Sequence, residues 1–245
     1  MGPILEKLPT SRRYVSVIVF LAALTYNNWL LAFIFNRRLL LHDGSVSELS
    51  VISQPHSWLF RLMDILSGLL FIVLAVLAYR LMKTSHTSRR WAYMLIIGVA
   101  AFGLANALDA SFPLNCSDTL SRSCNMPIEI DFSRIILPSH AYSSLIIAVG
   151  YFLLPLAGYM YARSNRLRGL ERVSLVTIGV AIFSCASAMH GYLHQKSLTV
   201  HTAGLPQEIQ MLILGWWLVV WFYSIKPNEL DLKEVAQPLV QARRR

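Results

Sequence analysis

The segment WLFRLMDILSGLLFIVLAVLAYRLM, residues 58–82, decides the fold class. A run of about 20 mainly apolar residues is long enough to cross the hydrocarbon core of a bilayer as an α-helix. Five further runs of this kind occupy residues 14–35, 91–112, 140–162, 172–194 and 207–225. The chain of 245 residues is 55% hydrophobic and 14% charged, whereas typical soluble domains are about 25% charged. The sequence therefore predicts an all-α polytopic membrane helix bundle with six transmembrane helices.

The basic residues predict the orientation of these helices. Cytoplasmic loops carry an excess of Lys and Arg, and 16 of the 22 basic residues lie on the cytoplasmic side if the N-terminus is cytoplasmic. Both termini are then cytoplasmic, with residues 1–13 as a tail, residues 14–225 as the transmembrane domain and residues 226–245 as a basic tail. Because the positive charge lies at the ends of apolar runs, the formal net charge of +9 does not indicate nucleic-acid binding.

Two loops on the predicted outer side contain residue patterns that predict local structure. Cys116 and Cys124 share the loop 113–139, where an oxidising exterior would allow them to form a disulfide. The alternative is two unpaired thiols. In the first outer loop, Ser45-Val-Ser-Glu48 has the pattern of a capping box. This pattern predicts a short helix on the outer surface before the second crossing.

Polar side chains recur at helical spacing in the outer halves of four predicted helices. An ionised side chain at the bilayer centre costs ~2.5–3.5 kcal/mol on insertion scales, so these residues require an explanation. The faces consist of Asp64 and Ser67, of Asn106 and Asp109, of His140, Ser143 and Ser144, and of Ser187, His190 and His194. Since polar faces of membrane helices point into the bundle, we expect the four faces to converge. The inner halves look apolar apart from Asn27 and Asn28.

The histidines suggest a metal site. His190 and His194 lie one helical turn apart and can bind one metal ion, and His140 can supply a third nitrogen. Three histidines and a water form a common catalytic zinc sphere. Asp64 or Asp109 would then orient a ligand or act as a general base, and a nearby serine hydroxyl would stabilise an oxyanion.

Each of these residues also has a purely structural interpretation. Arg61 and Asp64 can form an ion pair at i,i+3 spacing. Asn106 and Asp109 can join helices through hydrogen bonds. His194 can simply lie in the membrane interface.

A family resemblance is carried by five short segments: Ser47-Glu48-Leu49, Leu59-Phe60-Arg61 with Asp64, Asp109-Ala-Ser-Phe-Pro-Leu-Asn-Cys116, Ser139-His140 with Ser143-Ser144, and Gly204-Leu-Pro-Gln207. Together they resemble the bacterial membrane family catalogued as domain of unknown function 998, over about residues 14–225. That family is grouped with alkaline ceramidases and adiponectin/progestin-type receptors, in a superfamily of membrane proteins proposed to be metal hydrolases.

The resemblance implies a buried zinc site that acts on lipid amide or ester bonds in the bacterial cytoplasmic (inner) membrane. Its three histidines would be His140, His190 and His194. Its aspartate would be Asp109 or Asp64, and its serine Ser143 or Ser144. The chain departs from the superfamily pattern in having six predicted helices instead of seven, and Ile136 where that pattern has a serine.

Three functions follow as hypotheses. The first is a zinc-dependent hydrolase of a lipid or lipid-linked amide or ester near the outer leaflet. The second is a non-enzymatic lipid-binding protein or a membrane partner of another protein, which would dock on the outer loops or the Arg243-Arg244-Arg245 tail. The third is a small transporter, which predicts polar groups that continue to the cytoplasmic side.

Overall fold

The computed structural model describes residues 10–41, 44–82, 89–113, 116–117, 139–194 and 204–225, and these residues contain helices and no strand. The α-helices are α1 (Thr10–Tyr26), α2 (Ala32–Phe35), α3 (Arg37–Leu41), α4 (Ser57–Met82), α5 (Arg89–Ser111), α6 (Ser139–Ser164), α7 (Arg168–His194) and α8 (Gly204–Ser224). Two short 3-10 helices cover Asn28–Leu31 and Val46–Ser50.

Five of these helices, α4 to α8, are long and apolar enough to cross a membrane. A sixth crossing is completed if α1 and its bent continuation count as one span. The ends of α4 to α8 differ from the predicted ends by at most four residues. The predicted all-α polytopic membrane bundle is therefore confirmed.

The first crossing differs from its prediction, because residues 14–35 do not form one continuous helix. α1 ends at Tyr26, and the segment Asn28–Phe35 continues at an angle of 58° to it. At the break, Asn27 Nδ2 donates to the carbonyl oxygen of Ala23 over 2.9 Å. The backbone N–H of Asn27 donates to the same oxygen over 3.2 Å, so this carbonyl accepts two hydrogen bonds. Beyond it the chain continues as a 3-10 turn, in which the N–H of Leu30 donates to the Asn27 oxygen over 3.2 Å.

The long helices form a closed ring in chain order. Each of α4 to α7 packs against its successor, and α1 packs against both α4 and α8. α4 and α5 approach each other closely at Gly68 and Gly103. A Cβ atom on either glycine would collide with the backbone carbonyl oxygen of the other. The absence of side chains at these two positions is what allows the two helices to touch.

An aromatic layer lies across the interior. It consists of Tyr26, Phe71, Phe102 and Tyr151, one each from α1, α4, α5 and α6. Their rings pack edge to face with centroids 5.3–5.8 Å apart. The hydroxyl groups of Tyr26 and Tyr151 share a hydrogen bond of 2.6 Å. The layer therefore ties four elements together at one level of the bundle.

The predicted short helix is present as the 3-10 helix Val46–Ser50, and Glu48 Oε1 accepts a hydrogen bond of 3.1 Å from the backbone N–H of Ser45. Glu48 is only 4% exposed, and the segment packs against α4 and α8. Its other oxygen, Oε2, accepts a hydrogen bond from Ser117 Oγ. The end of the bundle at which α4, α6 and α8 begin is called the Glu48 end below.

Candidate functional site

Asp64 is held by a residue that follows the break in the first crossing. Asn28 Nδ2 donates to Asp64 Oδ1 over 2.5 Å. Asp64 lies seven residues inside α4, which places it about 10 Å along the helix from its first residue. Its other oxygen, Oδ2, accepts no hydrogen bond from the described residues, and it is not fully buried. One oxygen of this carboxyl group is therefore held and the other is open.

Beside Asp64, α4 and α5 are joined by the amide of Asn106. Asn106 Nδ2 donates to the backbone oxygen of Asp64 over 2.8 Å and to Ser67 Oγ over 2.7 Å. Ser67 Oγ in turn donates to the same backbone oxygen over 3.0 Å. Ser67 and Asn106 are buried. The backbone of α4 at Asp64 is thus fixed relative to α5.

A second carboxylate joins α5 to α6. Asp109 Oδ1 accepts hydrogen bonds from Ser143 Oγ over 2.7 Å and from Ser144 Oγ over 2.8 Å. Ser143 is buried, whereas Asp109 and Ser144 keep part of their surface accessible. The carboxyl groups of Asp64 and Asp109 lie close enough to repel each other. The predicted polar faces of α4, α5 and α6 therefore converge.

Arg61 does not form the ion pair with Asp64 that its spacing allows. Its Nε donates instead to the carbonyl oxygen of Ala110 in α5 over 3.0 Å. Its terminal nitrogens, Nη1 and Nη2, have no partner within the described part of the chain, and neither is fully buried. The guanidinium group therefore keeps free donors one helical turn nearer the Glu48 end than Asp64.

These residues divide into a buried frame and an accessible set. The frame consists of Asn28, Ser67, Asn106 and Ser143. The accessible set, called the polar crevice from here on, consists of Arg61, Asp64, Asp109 and Ser144. Buried polar groups stabilise the positions of the accessible ones through defined hydrogen bonds. The four accessible side chains are thus held in defined positions near the Glu48 end of the bundle.

The structure locates one of the three predicted histidine ligands. His190 is exposed on α7, a helix that packs chiefly against α6 and α8. The side chains of His140 and His194 lie outside the described residues. Within the described residues, no three His, Cys, Asp or Glu side chains lie close enough together to hold a metal ion. Because two of the three ligands implied by the resemblance lie outside the described side chains, this result does not test the set, and the zinc site stays a prediction.

The structure describes one of the two cysteines that were predicted to form a disulfide. Cys116 is disulfide-bonded, but Cys124 lies outside the described residues. The pairing of these two cysteines therefore stays a prediction.

Sequence reasoning missed two residues of this region. Asn28 was expected in an apolar inner half, but its contact with Asp64 places it at the level of the polar crevice. Glu48 was noted as a helix cap and is in addition a buried carboxylate. The pair Asn27-Asn28 in the middle of an apolar run was the available signal, because adjacent amides are costly there unless they have partners.

A family model described as protein of unknown function (DUF998) matches residues 14–224. The chain belongs to this family. The match runs from within α1 to the last residue of α8, so it includes every residue of the polar crevice and its frame. Comparisons with curated proteins and with solved structures give no match. Membership of DUF998 is the part of the resemblance that is shown, and the link to the ceramidase superfamily stays a prediction.

Proposed function

We propose that this DUF998 protein binds the polar group of a lipid or a lipid-linked molecule in the polar crevice. The observation that carries the proposal is the open oxygen of Asp64. A carboxylate that only joined helices would be expected to use its oxygens on neighbouring side chains, because polar groups inside membrane proteins find partners there. Asp64 uses one oxygen in this way and leaves the other accessible.

The position of the crevice favours a ligand with both a polar and an apolar part. The crevice lies inside the membrane-crossing part of the bundle, next to helix surfaces that carry exposed leucine, isoleucine and valine side chains. Towards the middle of the bundle it is followed by the aromatic layer. Beyond that layer, a small cavity of about 10 Å³ is lined by apolar residues. Beyond this level the buried polar side chains of the described residues, such as Ser174 and Thr177, are uncharged hydroxyl groups, which makes ion transport through the bundle the less favoured hypothesis.

The proposal includes a location and an orientation. The excess of basic residues on the opposite side of the bundle supports cytoplasmic termini, so the Glu48 end would face the outer leaflet. The membrane would be the bacterial cytoplasmic membrane, as the family resemblance implies.

Lipid retention tests the proposed function. Wild-type protein would be purified in mild detergent after incubation with vesicles of mixed phospholipids, and retained lipid counted by native mass spectrometry. We expect about one tightly held lipid per chain and a clear loss of it in Asp109→Asn. Ser164→Ala, exposed at the far end of α6, is the matched control and should retain lipid as the wild type does. Equal retention in all three proteins would contradict the proposal.

A second candidate function, hydrolysis of an amide or ester bond in the bound molecule, is favoured by the environment of Asp109. Hydrolysis needs a base that accepts a proton from the attacking water and a donor for the carbonyl oxygen. Asp109 can act as the base. Ser144 is accessible, and its hydroxyl group would donate to the carbonyl oxygen after it releases Asp109 Oδ1. This candidate function includes the zinc site predicted at His140, His190 and His194. When bound there, zinc would act as a Lewis acid on the carbonyl group of the substrate.

Two measurements test this second candidate. Purified protein incubated with phospholipid and ceramide vesicles should release free fatty acid, detected by mass spectrometry, and Asp109→Asn should abolish the release. Zinc content measured in the wild type, His190→Ala and His194→Ala tests the metal separately. Full zinc occupancy in both variants would exclude these ligands, and lipid retention without fatty-acid release would leave binding as the function.

A further inference from the structure

Arg61 and Asp64 are a basic and an acidic side chain that do not pair with each other. They are three residues apart in α4 and so share a face of the helix. Other contacts hold them apart, since Arg61 Nε donates to the Ala110 carbonyl and Asp64 Oδ1 accepts from Asn28. In a medium of low dielectric constant, two such charges left unpaired are unfavourable. A ligand that carries both charges would stabilise both side chains at once.

The open atoms of the two side chains define what such a ligand must present. Asp64 Oδ2 is an acceptor without a donor among the described residues, and the terminal nitrogens of Arg61 are donors without an acceptor there. An ammonium group offers three N–H donors and a positive charge. A phosphate group matches the two-pronged donor geometry of a guanidinium group.

We infer that the polar crevice binds a zwitterionic head group, with its ammonium at Asp64 and its phosphate at Arg61. This inference rests on the proposed function and specifies its ligand. Arg61 lies nearer the Glu48 end than Asp64 does, so the phosphate group binds closer to that end of the bundle than the ammonium group.

The break in the first crossing supports a ligand site at this level independently of the charges. Discontinuous helices in membrane proteins commonly line substrate sites, because irregular backbone is tolerated where it borders a cavity. Here the first residue after the break, Asn28, is the one that holds Asp64. The broken helix therefore positions the proposed ammonium-binding carboxylate.

Titration with short-chain lipids tests the inference. Detergent-purified full-length protein would be titrated calorimetrically with dihexanoyl phosphatidylethanolamine, phosphatidylcholine and phosphatidylglycerol. Phosphatidylethanolamine should bind about tenfold more tightly than the other two, the ratio that one additional charge-assisted hydrogen bond provides. Phosphatidylcholine has the positive charge without N–H donors, and phosphatidylglycerol lacks the positive charge.

Variants assign the two contacts. Asp64→Asn, which keeps the shape and the acceptor for Asn28, should reduce binding of phosphatidylethanolamine to the level of phosphatidylglycerol. Arg61→Gln should weaken the binding of all three lipids, and Arg61→Lys should restore part of it. Arg80→Gln, at an exposed position of the opposite end of α4, is the control and should bind as the wild type does. Wild-type affinity in Asp64→Asn and in Arg61→Gln would overturn the inference.

A parallel titration with phosphoethanolamine distinguishes the source of the head group. Binding comparable to that of the lipid identifies a water-soluble ligand, and binding of the lipid alone identifies a membrane ligand. Equal affinity of the wild type for all three lipids overturns only the inference. Failure to bind any of them overturns the proposed function as well.

Discussion

At the scale of single residues, Asn106 uses both hydrogens of its amide on α4, one on the backbone oxygen of Asp64 and one on Ser67. Interhelical hydrogen bonds in membrane proteins contribute about 0.6–2 kcal/mol each. We therefore expect Asn106→Ala to lower the free energy of unfolding by about 1–3 kcal/mol. Unfolding by SDS titration from mixed micelles measures this difference.

Ser111→Ala provides the comparison for Asn106→Ala on the same helix. Ser111 is exposed, and its hydroxyl donates only to the Ala107 carbonyl of its own helix. Its free energy of unfolding should stay within about 0.5 kcal/mol of the wild type. Equal losses in the two variants would show that Asn106 does not join α4 to α5.

Residue identities predicted which faces are polar but not which atoms pair. The i,i+3 spacing of Asp64 and Ser67, and of Asn106 and Asp109, was sufficient to expect convergence of α4, α5 and α6. The choice of Arg61 between Asp64 and the Ala110 carbonyl depends on where α5 ends relative to α4. Spacing within one helix holds no information about that position.

At the scale of the elements, the contact between α4 and α5 depends on Gly68 and Gly103. A methyl group at either position would meet the backbone of the other helix, and backbone cannot move aside as a flexible side chain can. We expect Gly68→Ala or Gly103→Ala to cost about 1–3 kcal/mol of stability, as overpacking does. Thermal unfolding in detergent measures the loss, and lipid retention should fall with it because Asp64 is fixed to α5.

Gly179→Ala is the matched control in α7, since no atom lies within 4 Å of the position of its Cβ. Alanine is preferred over glycine within a helix by about 1 kcal/mol. This variant should therefore be as stable as the wild type or more stable. Destabilisation of the same size at all three glycines would show that contact with a neighbouring helix is not the cause.

Hydropathy predicted the long elements well and missed the break in the first one. Sums over a window of about 19 residues are little changed by two amides, so the run 14–35 read as a single helix. At the break, Asn27 bonds to Ala23 through both its backbone and its side chain, and Asn28 bonds to Asp64. The second contact is tertiary, and a local pattern cannot reveal it.

At the scale of the whole molecule, the bent first crossing decides how many times the chain traverses the membrane. α1 has 17 residues and is about 26 Å long, slightly less than the hydrocarbon thickness of about 30 Å. If it and its continuation form one span, as the sequence predicts, the chain has six crossings and both termini lie on one side. A re-entrant segment would give five crossings and termini on opposite sides.

Reporter fusions measure this difference. Fusions of a fluorescent protein and of alkaline phosphatase would be made at the N-terminus, after residue 85, after residue 128 and at the C-terminus. We expect fluorescence without phosphatase activity at both termini and at residue 85, and phosphatase activity at residue 128. Opposite signals at the two termini would contradict six crossings.

The aromatic layer formed by Tyr26, Phe71, Phe102 and Tyr151 bears on the route by which a bound molecule would enter and leave the protein. If a ligand binds in the polar crevice as we propose, these four rings lie between it and the other end of the bundle on the side formed by α1, α4, α5 and α6. The ligand would then leave by the end through which it entered.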